Sequence, residues 1–211
     1  ELVGVLSFKT IYSWIHRGFL AVTEKVFRRK GKKPGTQEKR GRFNVKKTIK
    51  DRPQEVENRK TFGHWELDTM VSSRGQSKGC LATFVERKTR FYVAMKMDDR
   101  TKASMFLAIS SLYNTLTSKL LKTFTVDRGK EFACFEQVET EFGIPMYFAD
   151  AYAAWQRGSN ENSNGLLREF FPKKTDLANV TLDKLTEALV LINNRPRKCL
   201  GFKTPFDMFK H

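Results

Sequence analysis

Three acidic residues stand where an acid has little reason to sit idle. Asp68 falls inside the otherwise aromatic and aliphatic run FGHWELDTMV, Asp127 ends the apolar FTV ahead of Arg128-Gly129, and Glu161 opens a helical stretch after a run of Gly, Ser and Asn. A carboxylate in a buried strand has to be paired or bind a metal, because its lost hydration is otherwise uncompensated. Strand ends and helix starts are also where sheets flanked by helices gather their active sites. The chain holds three His (His16, His64, His211) and three Cys (Cys80, Cys134, Cys199), and none of the Cys is in C-x-x-C spacing. A zinc cluster or disulfide framework is therefore disfavoured, and any metal would see hard oxygen ligands, which suit Mg²⁺ or Mn²⁺. Two such ions about 4 Å apart can activate an attacking oxygen and stabilise a leaving one in phosphoryl transfer. That chemistry needs several carboxylates close together. On the residues alone the plain alternative stays open: residues 61–211 hold 17 Asp/Glu, and strand-end acids are common.

Neighbouring residues add to the pattern. Glu161, Asn164 and Arg168 are spaced i, i+3, i+7 and project from one helix face, where they could grip a metal and a phosphate together or form an ordinary polar surface. By strand alternation His64, Glu66 and Asp68 share a face. Glu66 could thus assist a metal, whereas His64 and Trp65 read as structural. Asp150 reads as a turn or cap residue.

The elements that must position these residues follow from periodicity. FGHWELDTMV, KGCLATFVER and FYVAMKMDD predict three successive strands. Thr101 caps a helix with Phe106, Ile109, Leu112 and Leu116 on one face, KTFTVD is a fourth strand, and EFACFEQVETEFG is a helix closing on Gly143. PMYFAD is a short fifth strand, followed by the polar loop AYAAWQRGSN and a helix over ENSNGLLREFF ended by Pro172. A long helix starts at the Thr181 cap with Leu182, Leu185, Leu189 and Ile192 inward, and Thr204-Pro205 opens a final short one. Three strands and then alternating helices and strands predict an α/β fold with one mixed sheet flanked by helices.

Charge divides the chain. Residues 25–60 hold 15 Lys/Arg against 4 Asp/Glu, whereas residues 61–211 hold 22 against 17, and the whole carries a formal +16. A polyanion is the obvious partner. The segment 25–60 reads as a basic linker, either a solvated spacer or an arm that tracks phosphates. Before it, Ser7 caps the amphipathic FKTIYSWIHR, stopped by Gly18. This is an ordinary packing helix or the last helix of a helix-turn-helix. The chain begins at Glu1 rather than Met and reads as a fragment of a longer protein. With no apolar stretch approaching 18 residues and no visible signal peptide, a reduced, intracellular, membrane-free protein is expected.

The segments GHWELDTM, VDRGKEFA, FADAYAAWQRGSNENSNGLLREFFPKKTD and NNRPRKCLGFKTPFDMF, in this order, resemble the catalytic domain of the insertion sequence thirty family of bacterial transposases, part of the wider class of Asp-Asp-Glu transposases and retroviral-type integrases. The resemblance spans about residues 55–211, and YSWIHRGFL is similar to the end of that family's helix-turn-helix. The intervals of 59 positions from Asp68 to Asp127 and 34 from Asp127 to Glu161 agree with the class. Ala151 departs from it, standing where a Pro is expected.

The resemblance implies a ribonuclease H-like five-stranded core at 61–211, a helix-turn-helix remnant at 1–24, and metal-dependent DNA strand cleavage and strand transfer. It implies that Asp68, Asp127 and Glu161 hold two divalent ions, Mg²⁺ or Mn²⁺. Arg168, with Asn164, Arg157 and Lys130, is expected to contact DNA. Double-stranded DNA, as element ends and target, is the expected partner of a homo-oligomer located in the bacterial cytoplasm at the nucleoid. Two rival readings are a nuclease of similar fold that only hydrolyses, and an inactive descendant that only binds DNA.

Overall fold

The computed structural model describes residues 6–23, 45–73, 77–151 and 153–210. The chain divides into two units, Glu1–Lys39 and Arg40–His211. In the first, helix α1 (Phe8–His16) is capped as expected: the Ser7 hydroxyl accepts from the Lys9 N–H. It ends on Gly18 at φ +72°, where the Phe19 N–H reaches back to the Trp14 carbonyl, a turn that favours a residue without Cβ. Residues 24–44, most of the basic stretch, lie outside the described residues.

The second unit is built on one mixed sheet. Strands β1 (His64–Val71), β2 (Cys80–Glu86) and β3 (Tyr92–Met97) form an antiparallel meander, and β4 (Thr123–Val126) and β5 (Met146–Phe148) add parallel to β1, giving the order β3-β2-β1-β4-β5. The period-two alternation sends Trp65, Leu67, Phe84, Phe124 and Phe148 into one apolar cluster with Ile109 and Leu112. Met70, Leu81, Val85 and Tyr92 enter a second cluster with Leu167, Leu185 and Ile192. Helices α3 (Lys102–Thr115) and α4 (Phe135–Phe142) cover the first face; α5 (Gly158–Phe170) and α6 (Leu182–Asn193) cover the second. Both faces of β1 and β2 are therefore buried, and Glu66 and Asp68 look toward the α5 layer.

Several expectations shift by a fraction of a turn. On α3 the buried stripe is Met105, Ala108, Ile109 and Leu112, with Phe106 and Leu116 only partly covered. On α6 the inward residues are Leu185, Ala188 and Ile192; Leu182, in the first turn, is 67% exposed. The helix expected over 131–143 is a 3₁₀ turn, Lys130–Cys134, followed by α4. Helix α5 begins at Gly158, so Glu161 sits in its first turn rather than at its start.

The largest difference lies at 45–60, which composition assigns to the linker. There Thr48 and Asp51 cap a 3₁₀ turn reciprocally, Thr48 bridges to Phe148 alongside β5, and a short helix α2 (Gln54–Asn58) buries Val56 completely. The Arg52 guanidinium is buried against the Thr125 hydroxyl (3.0 Å) and paired with Glu57. The segment packs through a few buried contacts hidden among charges.

Candidate active site

Parallel pairing brings the first two carboxylates together. In the β1–β4 register Glu66 lies opposite Thr125. Two further residues along each chain are Asp68 and Asp127, so these acids emerge side by side at the carboxyl ends of adjacent parallel strands, where α/β sheets place their ligands. The Asp68 side chain is 25% exposed and that of Asp127 34%.

Each carboxylate is oriented by main-chain donors. The Thr69 N–H donates to Asp68 Oδ1 at 2.8 Å, and the Gly129 N–H to Asp127 Oδ1 at 2.8 Å, closing the turn after β4. Asn164 Nδ2 donates to Asp68 Oδ2 at 3.1 Å, and the Asn164 carbonyl accepts from the Tyr92 hydroxyl at 2.6 Å. The tyrosine thereby fixes which end of the amide faces the acid. Between the two acids lies one guanidinium: Arg157 Nη1 is 3.5 Å from Asp68 and Nη2 is 3.3 Å from Asp127. Burial raises the Asp68 pKa; Arg157 pulls it down and Asp127 pushes it further up, with a net shift above the ordinary value.

Glu161 is exposed on α5. It lies four residues after Arg157 and three before Asn164, both of which touch Asp68, so helical spacing sets it on the flank facing the two acids. Among the described residues, no three His, Cys, Asp or Glu side chains converge on one point. The structure thus brings Asp68, Asp127, Arg157 and Asn164 together and leaves Glu161 at the edge. Lys130 is exposed at the start of its 3₁₀ turn. Arg168 donates to the carbonyls of Val71 (2.9 Å), Phe171 and Pro172 (both 3.4 Å), clasping the end of α5 to the end of β1.

Two supporting acids surround this site. Glu66 is fully buried: it pairs with Arg87 and accepts from the Asn160 N–H at 2.9 Å, holding the first turn of α5 against β1. Arg87 in turn donates to the Val56 carbonyl at 3.2 Å. Glu131, also buried, accepts from Thr69 Oγ1 (3.0 Å) and Arg100 (2.6 Å), and its carboxylate fills the space a Cβ at Gly129 would need. Burial works against the Arg100 charge, but Glu131, Asp127 and Asp68 outweigh it and raise its pKa, a sign of the negative potential here. Sequence reasoning missed Glu131 and Arg100; the one signal was the acid inside VDRGKEF, four positions past Asp127. His64 is structural, its ring nitrogen 2.9 Å from Thr123 Oγ1, with burial lowering its pKa. Asp150 exchanges hydrogen bonds with Gln156 as a turn residue. All three cysteines are unbridged.

The donor set suits a hard divalent cation. Its atoms are the carboxylate oxygens of Asp68 and Asp127, and a guanidinium spanning both acids marks a point that demands positive charge.

Residues 58–154 match the integrase core domain family, a range that contains Asp68 and Asp127 and ends before Glu161. The chain is 38% identical over 184 residues to the transposase InsI for insertion sequence element IS30C of Escherichia coli (strain K12), covering 86% of this chain and 47% of that protein. It is 33% identical to the probable transposase for insertion-like sequence element IS1161 of Streptococcus salivarius, covering 98% and 59%. It thus spans about half the length of the curated Escherichia coli relative. Among solved structures, the catalytic core domain of BIV integrase matches with a TM-score of 0.55 at 19% identity, over 71% of this chain and 95% of that one. A simian T-cell lymphotropic virus intasome in complex with PP2A regulatory subunit B56 gamma matches at 0.58 and 20%, over 84% and 61%. These likenesses establish the fold, the ribonuclease H-like mixed sheet of integrase catalytic cores. The chain thus matches the integrase core domain over residues 58–154 and is similar in sequence to insertion sequence transposases over most of its length.

Proposed function

We propose that this chain is the catalytic part of a transposase that cuts and rejoins DNA strands. The observation that carries the reading is the meeting of Asp68 and Asp127 at the ends of two parallel strands, beneath the helix that bears Glu161. In the first step a water oxygen attacks a phosphodiester at the element's end, breaking the bond to the 3′-oxygen, which leaves as a hydroxyl. In the second step that 3′-hydroxyl attacks a target phosphodiester and displaces its 3′-oxygen. Asp68, Asp127 and Glu161 would hold two divalent ions, Mg²⁺ or Mn²⁺, which supply charge stabilisation to the attacking and leaving oxygens.

The chain's own residues prepare this. Asn164 and the Thr69 N–H fix Asp68, the Gly129 N–H fixes Asp127, and Glu66 anchors the turn that carries Glu161. Asn164, engaged with Asp68 and Tyr92, is assigned to positioning; Arg168, at the end of α5, and the exposed Lys130 are assigned to DNA. The basic stretch would add sequence-independent affinity for phosphates. Double-stranded DNA as element end and target, a homo-oligomer assembled on it, and a bacterial cytoplasmic setting at the nucleoid complete the proposal. Among the described residues, no helix is long and apolar enough to cross a membrane.

The test is a reaction of the protein with labelled duplexes carrying the DNA that flanks its own coding sequence. Nicked and joined products in Mg²⁺, both lost in chelator, are expected. Nicks without joining would make it a hydrolytic nuclease, and undiminished products in chelator would end the metal reading.

A further inference from the structure

Asp68 and Asp127 already share a cation in this structure, and it is a side chain. We propose that Arg157 is the resident counter-ion of the metal site, holding the two carboxylates together before a divalent ion arrives and being displaced when it does. The inference rests on the metal-binding reading above.

The geometry is that of a loose hold. Arg157 spends one nitrogen on each acid, at 3.5 and 3.3 Å, instead of closing a fork on either. Charge-assisted bonds of full strength run about 2.7–2.9 Å. By contrast, Arg100 meets the buried Glu131 at 2.6 Å. Arg157 Nη1 also reaches toward the Leu67 carbonyl at 3.4 Å, while Nε is buried without a partner. That N–H leaves part of the guanidinium's bonding capacity unused. The Arg157 side chain is 14% exposed, sits where the 3₁₀ turn Ala154–Arg157 runs into α5, and adjoins Gly158, around which a Cβ would meet nothing within 4 Å.

Charge gives the direction of exchange. Two carboxylates facing one guanidinium leave the pair half neutralised. A divalent ion supplies twice the charge, at about 2.0–2.1 Å from its ligands for Mg²⁺. It therefore outcompetes the guanidinium, although Arg157 weakens its binding by the work of displacement. Without Arg157 the two acids would repel each other in the metal-free protein.

The experiment compares wild type, Arg157→Gln, Arg157→Lys and Asp68→Asn, each stripped of metal, by calorimetric titration with Mn²⁺ and by thermal unfolding. Arg157→Gln is expected to bind Mn²⁺ about tenfold more tightly, a size set by two partly exposed ion pairs. It should also melt lower than wild type without metal and gain more on saturation. Arg157→Lys, which keeps the charge, should stay near wild type in affinity. Wild-type or weaker Mn²⁺ affinity in Arg157→Gln, with binding still lost in Asp68→Asn, would overturn the exchange and leave the metal site standing. Absence of any Asp68-dependent Mn²⁺ binding in the wild type would overturn both.

Discussion

Glu66 and Asp68 lie two residues apart on β1 and face the same layer, yet they differ in how completely they are answered. Glu66 is fully buried with both oxygens used, one by the buried guanidinium of Arg87 and one by the Asn160 N–H. Asp68 is a quarter exposed; its cation is shared with Asp127 and stands 3.5 Å away. Alternation along a strand delivers both carboxylates to one face, and their partners divide the work. The satisfied acid holds the helix, and the underanswered one is left with charge to offer.

Breaking this contrast should produce opposite signatures at the two positions. Asp68→Asn should lower strand cleavage on the order of 10³-fold, since an amide cannot supply the anionic charge required. The metal-free fold should survive. Because the folded pKa of Asp68 is raised, its charged form costs the native state stability at neutral pH, and that cost fades as pH falls through the raised pKa. Metal-free Asp68→Asn should therefore compare best with wild type near neutrality, and its advantage should shrink on acidification in a series of thermal melts.

Glu66→Ala should do the reverse. Removing one partner leaves the buried Arg87 with only the half-exposed Glu57, 3.6 Å away, to answer its charge, a loss of about 3–5 kcal/mol in denaturant unfolding. A variant within experimental error of wild type would show that Glu66 is no anchor. A smaller effect is expected at Arg168, whose guanidinium answers three carbonyls at the far end of α5. Arg168→Ala should lose about 1 kcal/mol of stability, and DNA cleavage should fall further than that loss explains. Wild-type cleavage by a slightly less stable protein would leave Arg168 a clasp only.

Much of this was legible in the residues. The strands, the Thr101 and Thr181 caps and the Gly143 stop were written in periodicity and in residues with one strong local preference. Asp68 and Asp127 stood out because each interrupts or ends an apolar run, and the register then sets them side by side. What stayed hidden depends on partners distant in sequence. Gly158, Ser159 and Asn160 are weak helix formers, and the Glu66 carboxylate at the Asn160 N–H, 94 positions away, supports the turn they make. Arg52 and Arg87 read as solvated charge until Glu57 and Glu66 are seen beside them. Nothing local separates the guanidinium of Arg157, which lies on the acids, from that of Arg168, which lies on carbonyls.

Glu161 stands in the first turn of α5, exposed, on the flank that helical spacing shares with Arg157 and Asn164. The most direct test is strand transfer by purified Glu161→Gln on labelled duplexes in Mg²⁺, beside wild type and with DNA binding measured in parallel. Near-wild-type DNA affinity and neither nicked nor joined product are expected. Joining at the wild-type rate by Glu161→Gln would remove Glu161 from the site.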